Sequence, residues 1–386
     1  MTKEQLVLNY NEIYNDEGGQ KVYFAPSRVN MIGEHIDYNG GYVFPCALSI
    51  GTYGVATLRE DNIINMYSEN FKELGILSVA LDDLEYSKEH AWSNYIKGII
   101  KELKGHREIN KGINIYIIGN MPNAAGLSSS ASLELLISVM VNDLFKLNLD
   151  MLQMVKWSKK VENEYINVKC GIMDQFAVGM GKKHNAMLLN TATLDYEYVP
   201  LKLDGYKIVI GNTNVRRELA DSKYNERKSE CESALLKIQS VKDVKFLCEL
   251  NMEDFSSIEH LLSSIEKKRT RHAISENIRT IESVAVLKED NIAEFGRMML
   301  ESHQSLKNDY EVTGVELDTL VELMSNSEGV LGSRMTGAGF GGSTVSIVKS
   351  EFVDETVEIV GQKYKEQIGK NANFYVITVG DGARKL

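Results

Sequence analysis

Between Ala25 and Pro45 the chain reads APSRVNMIGEHIDYNGGYVFP, which places Arg28, Glu34, His35 and Asp37 in one turn-rich segment with three glycines. Carboxylate and imidazole groups can make several directed hydrogen bonds to a polar ligand. A neighbouring guanidinium suits an anionic group. A solvated charged turn has the same composition, so the segment needs partners to decide between the two. One partner is NMPNAAGLSSSASLELL, Asn120 to Leu136. Small side chains let an anion approach the backbone, N–H groups at a helix start point at it, and serine hydroxyls add donors that can also ligate magnesium. An N-cap needs one serine; Ser128, Ser129 and Ser130 exceed that need. The other partner is VENEYINVKCGIMDQFAVGM, from Val161. Glu162 falls on a helical pattern that Cys170 and Gly171 break. Asp174 then lies in the first turn of the next element, where the helix dipole favours an anion.

The elements that must position these groups are partly readable. GTYGVATL and NIINMYS read as neighbouring strands and INIYIIG as a buried one. Ser132 to Leu147 is apolar on nearly every side and reads as a buried helix. YKIVIGNT opens a second section after Pro200. NERKSECESALLKIQ and Ser275 to Met299 read as amphipathic helices, and STVSIVK and NFYVITVG as late strands. With 386 residues the chain exceeds what one core usually organises. Two domains are expected, 1–200 and 201–386, changing near 195–205.

Composition narrows the function. Lys and Arg number 43 against 54 Asp and Glu, a net charge of −11, which argues against a nucleic-acid surface but not against a small anionic ligand. The N-terminal stretch lacks a signal-peptide core and no run is long enough to span a membrane. Cys46, Cys170, Cys231 and Cys248 lack C-x-x-C spacing, so reduced thiols in the cytoplasm are expected, with neither disulfide framework nor zinc site. The Walker pattern is absent. TGAGFGG satisfies G-x-G-x-x-G from Gly337 to Gly342 but precedes a strand-like run, so it reads as a glycine loop packed against a ligand or another loop rather than a Rossmann turn.

Together the three segments resemble the galactokinases of the GHMP kinase superfamily, over nearly the whole chain. RVNMIGEHIDYNGGYVFP is similar to the galactokinase signature, GLSSSAS to the superfamily phosphate loop, and GSRMTGAGFGGSTVSIV to its third motif; CGIMDQFA, RRELADSKYNERKSECE and ESHQSLKNDYEV add to the likeness. The resemblance implies a two-domain α/β (α+β) fold: a mixed-sheet N-terminal domain holding the phosphate loop, an α/β C-terminal domain whose final strand can return to the first, and an active site in the cleft between them. It implies an ATP-dependent kinase acting on the anomeric hydroxyl of galactose, working with Mg²⁺ as a monomer. Glu34, His35, Asp37, Gly171 and Tyr224 would bind sugar. Ala124, Ala125, Gly126, Leu127, Ser128, Ser129 and Ser130 would wrap the triphosphate, with Ser68 near the nucleotide. Ser130 and Glu162 would hold magnesium. Asp174 would be the base, with Arg28 in ion-pair distance favouring its charged form. Ser27, Ala124 and Asn167 stand where the family usually has glycine, and Ile36 where most bacterial members have threonine. An N-acetylgalactosamine or other sugar kinase keeps the same chemistry. A non-catalytic galactose sensor does not fit the complete serine loop and Asp174.

Overall fold

The computed structural model describes residues 1–16, 18–121, 126–216 and 220–386. In chain order the first half comprises α1 (Lys3–Tyr14), β1 (Lys21–Asn30), β2 (Tyr42–Val43), β3 (Pro45–Leu58), β4 (Ile63–Ser68), β5 (Leu77–Ala80), α2 (Ser93–His106), β6 (Ile113–Gly119), α3 (Ser129–Leu144), α4 (Met151–Glu164), α5 (Met173–Met180), β7 (Asn185–Asn190) and β8 (Tyr196–Pro200). The second half comprises β9 (Tyr206–Arg216), α6 (Ala220–Ile238), α7 (Met252–Ile258), α8 (Ser264–Lys288), α9 (Ile292–Ser305), α10 (Val315–Ser325), β10 (Val330–Thr336), β11 (Gly341–Lys349), α11 (Val353–Ile368), β12 (Asn373–Ile377) and β13 (Arg384–Lys385).

The first sheet is mixed, with strand order β13-β1-β3-β6-β4-β5. The two strands expected to be neighbours, β3 and β4, are separated by β6, which pairs antiparallel with β3 and parallel with β4. The reason lies in burial. INIYIIG is buried through its first five residues and therefore takes an interior position. The last strand, β13, pairs with β1 at Tyr23 and Phe24, so the chain's final strand does return to the first sheet. The second sheet is antiparallel, order β10-β11-β9-β12. A small third sheet pairs β2, from between β1 and β3, with the later β7 and β8 in the order β2-β7-β8.

Helix α3 lies across β1 and β3 with α2 and α4 beside it. It begins at Ser129, three residues before the expected start, and ends at Leu144; Lys146 then adopts a left-handed conformation that cannot continue it. The span Ser275 to Met299 is not one helix but parts of α8 and α9. They are broken at Asp290, with φ +59°, and Asn291 caps the second of them. The acidic N-terminal stretch forms α1, which buries Leu6 and Tyr10, one turn apart, against Val22, Val55 and Tyr116. The main hydrophobic core does not stop at the boundary between halves. It runs from Ala56, Ile115 and Leu136 through Ala234, Leu247 and Ala273 to Val312. Among the described residues no helix is long and apolar enough to cross a membrane.

Candidate active site

Residues of both halves line a cavity of about 410 Å³ that brings the three sequence segments together. Strand β1 supplies Arg28, the following turn supplies Glu34, His35 and Asp37, and the start of α3 supplies Ser128, Ser129 and Ser130. The end of α4 supplies Glu162, the connection to α5 Gly171, and the start of α5 Asp174. From the second half, Tyr224 on α6 and the loop at Gly337 and Ala338 close the far side.

The centre is the Arg28–Asp174 pair. Arg28 Nε donates to Asp174 Oδ1 at 2.7 Å and Nη2 to Oδ2 at 2.8 Å. Its third nitrogen, Nη1, donates to the Gly126 carbonyl at 2.8 Å, tying the serine loop to the aspartate. Burial opposes the charge on Arg28, but Asp174 outweighs it and holds the guanidinium more firmly protonated. The Ser128 hydroxyl also donates to Asp174 Oδ2, so this serine serves the aspartate here. Leu127 is buried in the second core cluster and anchors the loop, while Gly126 and Ser129 are exposed. Ala124 and Ala125 lie outside the described residues. The glycine loop packs as the sequence suggested: a Cβ at Gly337, which has φ +86°, would lie 2.9 Å from the Gly126 carbonyl oxygen.

In the turn after β1, Glu34 is buried and its Oε2 accepts from Arg334 Nη2 at 2.7 Å. Asp37 is half-buried, and among the described residues its carboxylate has no hydrogen-bond donor. Burial, then the charges of Asp174 and Glu34, push its pKa up to about 7. Gly171 gives this carboxylate its room, since a Cβ there would sit 1.7 Å from Asp37 Oδ2. The Tyr224 ring lies 5.6 Å from that of His35.

The His35 ring is engaged within the protein. Burial lowers its pKa to about 3, so it is neutral. One nitrogen, Nε2–H, donates to the Ala338 carbonyl at 3.2 Å, leaving Nδ1 to accept from the Tyr38 hydroxyl at 2.9 Å. Both nitrogens are thus used within the protein, and the ring serves as a cavity wall. Ser68 is buried at the end of β4 and is not part of the cavity lining. Ile36 is wholly buried, packed against Gly41, so this substitution faces the core rather than the cavity. Asn167 has φ +66°, a conformation asparagine tolerates better than most residues. Ser27 is buried in β1 with its hydroxyl 3.0 Å from the Met121 sulfur.

Glu162 is held from behind. Gln175 donates to its Oε2 and, at 3.1 Å, to Glu134 Oε2, and the Cys170 thiol donates to Glu162 at 3.5 Å. Burial raises the Glu162 pKa even though the Ser130 hydroxyl hydrogen-bonds to the carboxylate. Residues that sequence reasoning missed are Arg334, Gln175, Glu134 and Ala338. Arg334 stood inside the quoted third motif and Gln175 directly after Asp174, but neither spacing nor pattern pointed to them.

A two-half α/β molecule with a serine-lined helix start beside an Arg–Asp pair defines the GHMP class of small-molecule kinases. The matching families agree: GHMP kinases N terminal domain over residues 94–182 and GHMP kinases C terminal over 283–366. The galactokinase galactose-binding signature matches residues 9–58. A mevalonate kinase from Methanococcus jannaschii shares the fold, with TM-score 0.67 and 19% identity over 95% of this chain and all of that one. Nearer relatives are galactokinases. That of Clostridium acetobutylicum is 53% identical over 95% of each chain, and that of Bacillus subtilis 50% identical over 100% of this chain and 99% of its own. The structure of Lactococcus lactis galactokinase complexed with galactose superposes with TM-score 0.97 and 48% identity, covering 99% of both chains. The chain belongs to the galactokinase family.

Proposed function

We propose that the protein transfers the γ-phosphoryl group of ATP to the anomeric hydroxyl of α-D-galactose, giving galactose 1-phosphate and ADP, the first step of galactose use. The observation carrying this reading is the bidentate Arg28–Asp174 pair, which stands between the sugar-side carboxylates and the serine loop. Asp174 takes the proton of the attacking hydroxyl, and the adjacent guanidinium holds both carboxylate oxygens in place for that task. Arg28 also offsets the repulsion between this carboxylate and the phosphates. Asp37, Glu34 and Tyr224 receive the sugar hydroxyls. The serine loop binds the triphosphate through backbone N–H groups at the start of α3.

Ser130 and Glu162 fit a hard divalent cation. They are hydrogen-bonded oxygen groups at the cavity wall, and burial disfavours the charge on Glu162 unless a cation accompanies it. Magnesium bound there would neutralise charge on the triphosphate. The protein is read as a cytoplasmic monomer of two units, 1–200 and 201–386. The test is ADP release across a panel including galactose and N-acetylgalactosamine, with the product's phosphorus position fixed by NMR. Absence of galactose-dependent ADP release refutes the assignment.

A further inference from the structure

Helix α8 does not line the cavity, yet it grips the main chain of a residue that does. The wholly buried Glu276 carboxylate accepts, through Oε1, the backbone N–H of Gly33 at 3.0 Å and of Glu34 at 3.4 Å. One turn earlier on the same helix face, His272 donates Nε2–H to the Glu34 carbonyl at 3.1 Å, its Nδ1 accepting from the Ser305 hydroxyl at 2.8 Å. Side chains at i and i+4 stack over one another, so the two residues hold the N–H and the C=O of the same amino acid.

Glu276 is itself fixed, by the Ser302 hydroxyl at 2.5 Å and by Arg279. Burial works against its charge, but Arg279 prevails and brings its pKa to about 2, so it stays an ionised acceptor. A third hold comes from β10. The wholly buried Arg334 donates Nη2 to Glu34 Oε2 at 2.7 Å and Nη1 to the Asn30 carbonyl at 2.7 Å. Glu34 Oε1 then remains, among the described residues, without a protein donor.

We infer that His272, Glu276 and Arg334 are positioning residues for the sugar: by fixing both the main chain and one carboxylate oxygen of Glu34, they aim its other oxygen at a galactose hydroxyl. This rests on reading the cavity as the galactose site. The holds belong to the sugar loop and not to the serine loop, so their loss should separate the two substrates.

The test compares Glu276→Gln with the parent enzyme by steady-state kinetics in both substrates, by calorimetry with galactose alone, and by thermal unfolding. The amide loses the charge that accepts two backbone donors. Galactose KM and Kd are expected to rise roughly 10-fold or more, the scale for a hydrogen bond to a charged group, while ATP KM stays near that of the parent. Restoration toward the parent value in Glu276→Asp would support the placement of the carboxylate. Galactose and ATP constants that rise together, or a galactose constant that does not rise in folded protein, would overturn the inference. Should Glu276→Gln fail to fold, His272→Gln carries the same comparison with the same opposing outcomes. Asp37→Ala, run in parallel, separates the two levels. If it too leaves galactose KM unchanged, the cavity reading has failed; if it alone raises KM, only the positioning role has.

Discussion

Alanine at Gly171 tests the sugar half of the site through one added atom. Gly171 is not in the left-handed region of backbone space, so alanine meets no backbone strain and its whole effect is steric. The new Cβ would lie 1.7 Å from Asp37 Oδ2 and 2.4 Å from Cγ, whereas ordinary contacts begin near 3.4 Å. The carboxylate must therefore retreat by roughly 1.7 Å, more than enough to break a hydrogen bond of about 2.7 Å. It sits at the end of a rotatable side chain, so it can yield and the fold should survive. Loss of a charge-assisted hydrogen bond costs roughly 1.5–3 kcal/mol, which corresponds to a galactose KM raised about 10- to 100-fold. A coupled assay of ADP release, with galactose varied at saturating ATP and the reverse, reads the split: galactose KM rises and ATP KM does not. Because both substitutions remove the same contact, Gly171→Ala should add little in an Asp37→Ala background. An unchanged galactose KM with an unchanged unfolding midpoint would show that Asp37 does not hold a sugar hydroxyl.

Asp174→Asn keeps shape but cannot accept the proton, and should lower kcat by about 10²–10⁴ with galactose affinity largely retained; near-normal kcat would leave the aspartate a purely positioning role. For Asp37, with its pKa near 7, kcat/KM for galactose should fall as pH drops through 7, and Asp37→Asn should flatten that limb. The folded-state pKa lies above the ordinary carboxylate value of 3.8, so the proton favours folding. That stabilisation is complete below about pH 4 and lost as pH rises through 7. Asp37→Asn should accordingly raise the unfolding midpoint more at pH 8 than at pH 4, and equal shifts would contradict the burial argument. Ser130→Ala should raise the magnesium concentration needed for half-maximal turnover, and a magnesium titration identical to the parent's would remove Ser130 from the metal site.

The chemistry-bearing turns were legible because their signals are local. Asp174 in the first turn of α5 followed from the break at Cys170 and Gly171, and the serine loop from residues too small and too polar for a simple cap. What was not legible depends on distant neighbours. His35 has the chemistry of a sugar ligand, and only the positions of Tyr38 and Ala338 show its nitrogens to be engaged. His272 and Glu276 sit in EKKRTRHAISENIR, where alternating charges look like the solvated face of any long helix; their burial comes from packing against a turn some 240 residues earlier. The order of strands in the first sheet escaped for a related reason. Alternation identifies a strand, but an intervening strand from later in the chain leaves no mark on its neighbours' sequences.

Those long separations have a kinetic meaning. Glu34 is held by groups 238, 242 and 300 residues away, so the contacts that aim it carry some of the largest loop-closure costs in the chain. Such contacts tend to form late, after local helices and hairpins have settled. A chain whose first sheet is already folded would hold Arg28 on β1 yet lack an aimed Glu34. Galactose, binding only the completed arrangement, should therefore slow unfolding while leaving the refolding rate nearly untouched. A sugar-dependent lag or acceleration in refolding would place the turn's closure earlier in the folding route than its contacts imply.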